Sequence, residues 1–149
     1  MTSTTSAGTR IAISAAAPAT QDKTGYAALS FTNIGGVESI PAFGAQTTVN
    51  SFQPLDGPQE KHKGPTNYGS IQIPMARDKA DAGQILVRTA AAPANNAQYS
   101  FKVTYPDGGV RYFQGRAFGL QETPGSATNV LMQTTTVEIN TPVVVDDPA

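Results

Sequence analysis

The sequence predicts a mainly β fold, an antiparallel sandwich- or barrel-like domain with one short α-helix. Three observations lead there. Apolar and polar residues alternate with period two in several short segments, most clearly at 99–105 and 129–140. Turn-forming glycine, proline, asparagine and aspartate separate those segments. Only one stretch, around 79–91, carries apolar residues at helical spacing.

A chain of 149 residues suits one domain. Ten basic side chains stand against eleven acidic ones, for a net charge of −1. Alanine supplies 21 residues, whereas Leu, Ile, Val and Phe together supply 29, close to the level at which a chain stays disordered. Disorder also needs strong self-repulsion, which this charge balance lacks. The expectation is a folded domain with a thin core that completes its burial against neighbouring subunits.

Several classes fall away. Without cysteine there is no disulfide framework, thiolate nucleophile or cysteine-based zinc site. The apolar runs are far shorter than the ~20 residues that span a bilayer, so no membrane association is expected. The first eight residues are small and polar, with no basic region leading into an apolar stretch, so export by the ordinary signal route is not expected. The scattered charges make no basic face for nucleic acid.

Along the chain, residues 1–8 read as a flexible arm and 141–149 as a C-terminal tail, leaving 9–140 as the domain. In the tail, Val143, Val144 and Val145 could add an edge strand to another subunit. Residues 10–14 (RIAIS) alternate, and Pro18 closes that segment. Residues 26–32 read as a strand that runs into IGGVESI (34–40), whose glycine pair reads as a bulge or tight turn. Residues 47–53 and 68–73 alternate again. Between them lies a long charged loop, 54–67, of a length that is uncommon in compact domains unless functional.

In the helical segment Ala82, Ile85, Leu86 and Thr89 share a side, Asp78 is the expected N-cap, and Pro93 ends the run. Gly83 weakens that helix by ~1 kcal/mol relative to alanine. Tyr99, Phe101, Val103 and Tyr105 share one strand face, Asp107-Gly108 supplies the turn, and the return strand at 110–114 continues past Gly115. In the last strand Leu131, Gln133, Thr135, Val137 and Ile139 are assigned to the core. Met132, Thr134, Thr136 and Glu138 form a Thr-rich outer face that reads as polar without being charged.

Little here points to chemistry. His62, the single imidazole, lies in a solvated charged run, whereas a catalytic triad needs a buried, oriented histidine. Asp78 and Asp81 could share one helical side and hold a hard cation, but compensation of the helix dipole is the simpler reading. Asp146 and Asp147 read as a solvated acidic end. Gly35-Gly36 and Gly108-Gly109 match no phosphate-binding loop. The aromatics at 99–113 resemble a base-stacking platform, yet their alternation is that of core packing. No catalytic residue, cofactor or metal ligand is expected.

Read in order, the pieces resemble a known family. A polar arm and a strand precede FTNIGGVESI (31–40). A strand, the charged loop through EKHKG (60–64) and YGSIQI (68–73) follow, then one helix and a long antiparallel hairpin. This order is similar to that of the major tail (tail tube) proteins of long-tailed bacteriophages, over most of residues 9–140.

The resemblance implies a structural virion protein, not an enzyme. Six copies would close into a ring, and stacked rings would form a phage tail tube that conducts DNA into the host. It implies assembly in the host cytoplasm, homo-oligomeric contacts, and contacts with tip, terminator and tape-measure proteins, with DNA only in transient passage. Carried over, Gln59, Glu60, Lys61, His62 and Lys63 of the long loop, with the N-terminal arm, would grip the next ring. Glu38, Glu122 and Glu138 are the candidates for the lumen. A capsid-decoration or head–tail connector protein, or a small β-sandwich binding module, remain alternatives. The binding module would want an exposed aromatic row, and there is no tryptophan.

Overall fold

A computed structural model describes residues 3–148. The elements run β1 (Arg10–Ser14), α1 (Lys23–Ala27), β2 (Thr32–Asn33), β3 (Gln46–Phe52), β4 (Glu60–Asn67), β5 (Ser70–Ala76), α2 (Ala82–Ala90), β6 (Tyr99–Thr104), β7 (Val110–Thr123), β8 (Met132–Ile139) and β9 (Val144–Asp146). The class is the mainly antiparallel β fold expected, with two short helices instead of one.

Seven strands form one sheet in the order β2-β1-β6-β7-β8-β5, with β9 also on β7. Its pairings are all antiparallel. The 14-residue β7 organises it: Val110 to Gly115 pair with β6, and from Gly115 to Thr123 the strand pairs with β8 across a register shift between Ala117 and Leu120. Residues 34–38 then join the two ends of the sheet. The Ile34 amide donates to the Ile11 carbonyl at 2.9 Å, on β1. The Glu38 amide donates to Pro74 at 2.9 Å and the Ala76 amide to Gly36 at 2.8 Å, both on β5. The IGGV segment is thus the seam that closes the sheet into a barrel, and closure removes edges that would otherwise pair with other chains.

Gly36 is required at this seam. Its φ is +73°, which side-chain-bearing residues rarely adopt, and a Cβ there would sit 2.8 Å from the Ala76 carbonyl oxygen. The seam is fastened from inside by α2. Gln84, 3% exposed, donates its amide to the carbonyls of Gly35 (2.7 Å) and Ala76 (2.8 Å). Its oxygen accepts from the Asp78 amide (2.9 Å) and the Gln133 side chain (2.8 Å). One side chain therefore ties seam, β5, helix entry and β8 together, and satisfies all four of its own polar valences.

The core is formed by inward-facing residues of alternating strands, Ile11 and Ile13, Ile71, Ile73 and Met75, Phe101 and Val103, Phe113, and Val137 and Ile139, with Val87, Ala90 and Ala91 from α2. Phe101 stacks on Phe113 with centroids 5.4 Å apart, and Phe43 leans on Phe113 at 5.8 Å. On the sheet's outer side the α1 region covers β7: Tyr26 stacks on Tyr112 at 5.1 Å, with planes 12° apart. Burial pushes both phenols above their ordinary value of 10.0; the Asp146 charge adds to this at Tyr112, while side-chain hydrogen bonds with Thr141 and Gln21 oppose it at Tyr26.

Several expectations are corrected. Residues 26–32 are not a strand: Asp22 caps α1 by accepting from the Gly25 amide at 2.7 Å, and only Thr32–Asn33 pair. The α2 cap is Asp81, not Asp78, because its carboxylate accepts from the amides of Gln84 and Gly35, each at 3.0 Å, so the helix starts at Ala82. The stretch 54–67 is not a loop throughout, since Glu60–Asn67 is strand β4. Val144 and Val145 pair with β7 of their own chain, and Asp147 bonds Arg111 at 2.7 Å, so 141–149 is no free tail over its described part. Leu131 precedes β8 and is 38% exposed, so the core side of that strand begins at Gln133. Met1, Thr2 and Ala149, at the ends of the expected arm and tail, lie outside the described residues.

Candidate assembly surface

β3 and β4 pair only with each other and stand off the barrel as a separate two-stranded sheet. All seven residues of β3 are exposed, as are all of β4 except Gly64. The register sets Val49 against Lys63, Asn50 against His62, Ser51 against Lys61 and Phe52 against Glu60, with an irregularity between Thr47 and Val49 where Gly64 and Pro65 fall. Val49, Ser51, Lys61 and Lys63 therefore share one face, and Asn50, Phe52, Glu60 and His62 the other. The tip is a compact turn, because the Gln53 amide donates to the carbonyls of Pro54 (3.0 Å) and Gly57 (2.9 Å).

Two-stranded sheets with no packed face are marginal in water. This one also exposes Val49 by 62%, Phe52 by 58% and Leu55 completely. Apolar side chains concentrated on a projecting arm are the signature of a surface that another protein covers.

The five residues singled out in the charged stretch all lie on this arm: Gln59 in the turn, and Glu60, Lys61, His62 and Lys63 on β4. They do not converge on a chemical site. His62 lies 3.6 Å from Glu60, with both side chains more than half exposed. Val49, Phe52 and Leu55 carry the apolar part of the arm and are not among the residues the sequence marks for a site. The signal was the turn sequence Pro54-Leu-Asp-Gly57, which marks a hairpin tip.

The three acidic candidates are not brought together. Glu38 lies exposed on the seam. Glu138 is on the outer face of β8, opposite Arg116 of β7 and Ser70 of β5. Glu122 is on the other face, in register with the buried Gln133, and Arg88 of α2 donates to it at 2.6 Å. The outer face around Glu138 carries Ser70, Gln72, Gln121, Thr134 and Thr136, polar residues with no net charge.

Asp81 is occupied as the helix cap, and Asp78 accepts from the Ala80 amide at 3.0 Å. Among the described residues no group of three or more His, Cys, Asp or Glu converges, and no helix is long and apolar enough to cross a membrane. The stacking-platform aromatics Tyr99, Phe101, Tyr112 and Phe113 are buried.

No protein-family model matches the chain, and no curated protein matches it. Solved structures do. A chain of the anti-feeding prophage (AFP) baseplate, 6-fold symmetrised, superposes with a TM-score of 0.67 at 9% identity, over 97% of this chain and 96% of that one. A chain of the PVC extracellular contractile injection system, sheath-tube complex in the extended state, gives 0.61 at 11% identity, over 93% and 89%. A chain of the tail of an empty GTA particle, refined with C6 helical symmetry, gives 0.63 at 15% identity, over 93% and 95%. At these identities the likeness is one of fold.

Proposed function

We propose that this protein is a non-enzymatic structural subunit of a phage-type tail, which self-assembles head to tail into hexameric rings that stack as a tube. The observation that carries this is the β3–β4 arm: a closed barrel that satisfies its own sheet edges, yet projects an exposed, apolar-tipped hairpin. A contact made by different surfaces of identical subunits closes into a ring if its rotation closes, and otherwise runs on as a filament. The likeness in fold to chains from sheath-tube and tail assemblies supports the same reading.

In this reading Gln59, Glu60, Lys61, His62 and Lys63 belong to the contact between copies, together with Val49, Phe52 and Leu55. The sheet face carrying Glu138 lines the lumen. Its hydroxyl and amide side chains offer a passing DNA no row of cations, and each cation–phosphate contact would deepen a salt-dependent trap. Glu122 lies on the other face, paired with Arg88 of α2, so this reading leaves it out of the lumen. The subunit assembles in the host cytoplasm, meets tip, terminator and tape-measure proteins in the finished tail, and takes no cofactor.

A second reading, a single terminating ring, is favoured by likeness over 93% of this chain to one from a sheath/tube terminator structure, with a TM-score of 0.59. Negative-stain electron microscopy of the concentrated protein separates the two. Stacked rings or hollow tubes are expected; isolated single rings would replace the tube by the terminator, and trimers would overturn both.

A further inference from the structure

An open groove of about 820 Å³ runs along the barrel beside the seam. Its apolar floor is made by Val37, Ile40, Phe43, Tyr105 and Val143, all half-buried and all packed on the core. Glu38 and Asp107 stand on its walls. Among the described residues the one cation lining the groove is Arg111, which is bound by Asp147 at 2.7 Å and lies over the Tyr105 ring at 5.1 Å, so the free charge they give the groove is acidic.

The β3–β4 arm is its complement. The tip presents Leu55 and Phe52, and one face presents Lys61 and Lys63, which have no acidic partner among the described residues. The arm cannot fill the groove of its own chain. Gly44 lines the groove and β3 begins at Gln46, and seven strand residues at ~3.4 Å each carry the tip roughly 24 Å away.

We propose that this groove is the receptor for the β3–β4 tip of a second copy, with Leu55 on the apolar floor and Lys61 and Lys63 against Glu38 and Asp107. The proposal rests on the assembly reading and names the surface that receives the arm. Donor and receptor are different patches on one chain, so each copy gives one contact and takes one, and the contact propagates.

The natural chain lacks cysteine, so the contact can be tested by disulfide trapping in the full-length protein. Ser39 is exposed at the groove and Leu55 is exposed at the tip, so Leu55→Cys/Ser39→Cys alters no buried residue. A control, Leu55→Cys/Ala94→Cys, places the second thiol in the exposed loop after α2. A shared interface holds thiols at ~mM effective concentration, so under mild oxidation the groove pair forms a multimer ladder on non-reducing gels about tenfold more than the control.

Assemblies visible by electron microscopy with no more ladder than the control overturn the groove as receptor and leave assembly standing. Wild-type protein that stays monomeric at every concentration overturns the groove and the assembly reading together.

Discussion

Replacing Gln84 with leucine tests the seam most severely. Leucine fills similar space but leaves four partners without Gln84: the carbonyls of Gly35 and Ala76, the Asp78 amide and the Gln133 side chain. Gln133 is 3% exposed, so losing its bond costs a full desolvation penalty of about 1–3 kcal/mol. The two carbonyls are half-buried and cost about 1 kcal/mol each, whereas the exposed Asp78 amide turns to water at little cost. The leucine's own burial offsets ~1 kcal/mol. The net loss is therefore about 2–4 kcal/mol, or roughly 5–15 °C in Tm for a domain of this size.

A companion variant sharpens the test. Gln84→Glu keeps both acceptor bonds but aims a carboxylate at two carbonyls in a buried site. That raises the carboxyl pKa above its unfolded value, so the destabilisation relative to wild type is greatest near pH 7 and shrinks as pH falls toward the unfolded value of about 4.3. Thermal unfolding followed by circular dichroism reads both variants. A Gln84→Leu protein melting within a degree of wild type would refute the seam argument.

Gly36→Ala should lower Tm at least as much as Gln84→Leu, because it adds positive-φ strain to a clash with the Ala76 carbonyl; an unchanged Tm would mean the seam backbone can rearrange. Val137→Asp should abolish soluble folded protein, since Val137 is fully buried, while the half-exposed Leu131→Asp should stay folded; expression and circular dichroism distinguish them. Stability should fall as pH rises above 10, because the unfolded chain releases the Tyr26 and Tyr112 protons near 10.0 while burial keeps them on the folded protein to higher pH. Tyr26→Phe should reduce that alkaline loss, measured as the Tm difference between pH 8 and pH 11.

The strands best read from sequence are those with one apolar face. β1, β5, β6 and β8 alternate because one side meets the core and the other solvent or a covering segment. β4 reads as loop in the sequence because neither of its faces is buried: EKHKGPTN has no apolar alternation, and Gly64 and Pro65 look like breakers where they form an irregularity. α1 is not legible in the sequence because five residues hold too little periodicity, and Tyr26, Leu29 and Phe31 mimic a strand face. The glycine pair at 35–36 was legible as a tight turn, but its task in closing the barrel depends on β5 and on Gln84, both distant in sequence. Gln133 falls on the apolar face of its strand and is legible as inward, whereas Gln84 looks like an ordinary surface glutamine in the sequence, and only its hydrogen bonds to the seam and to Gln133 place it inside.

The central claim is that the barrel folds by itself and the arm exists to join copies. Sedimentation velocity, with Tm measured in parallel, on wild type and on a variant whose residues 46–67 are replaced by a short Gly-Ser link tests it most directly. The account predicts concentration-dependent assemblies for wild type, and a monomer with nearly unchanged Tm for the variant, because the arm pairs with no other described strand. A variant that assembles as wild type does, or that no longer folds, would contradict it.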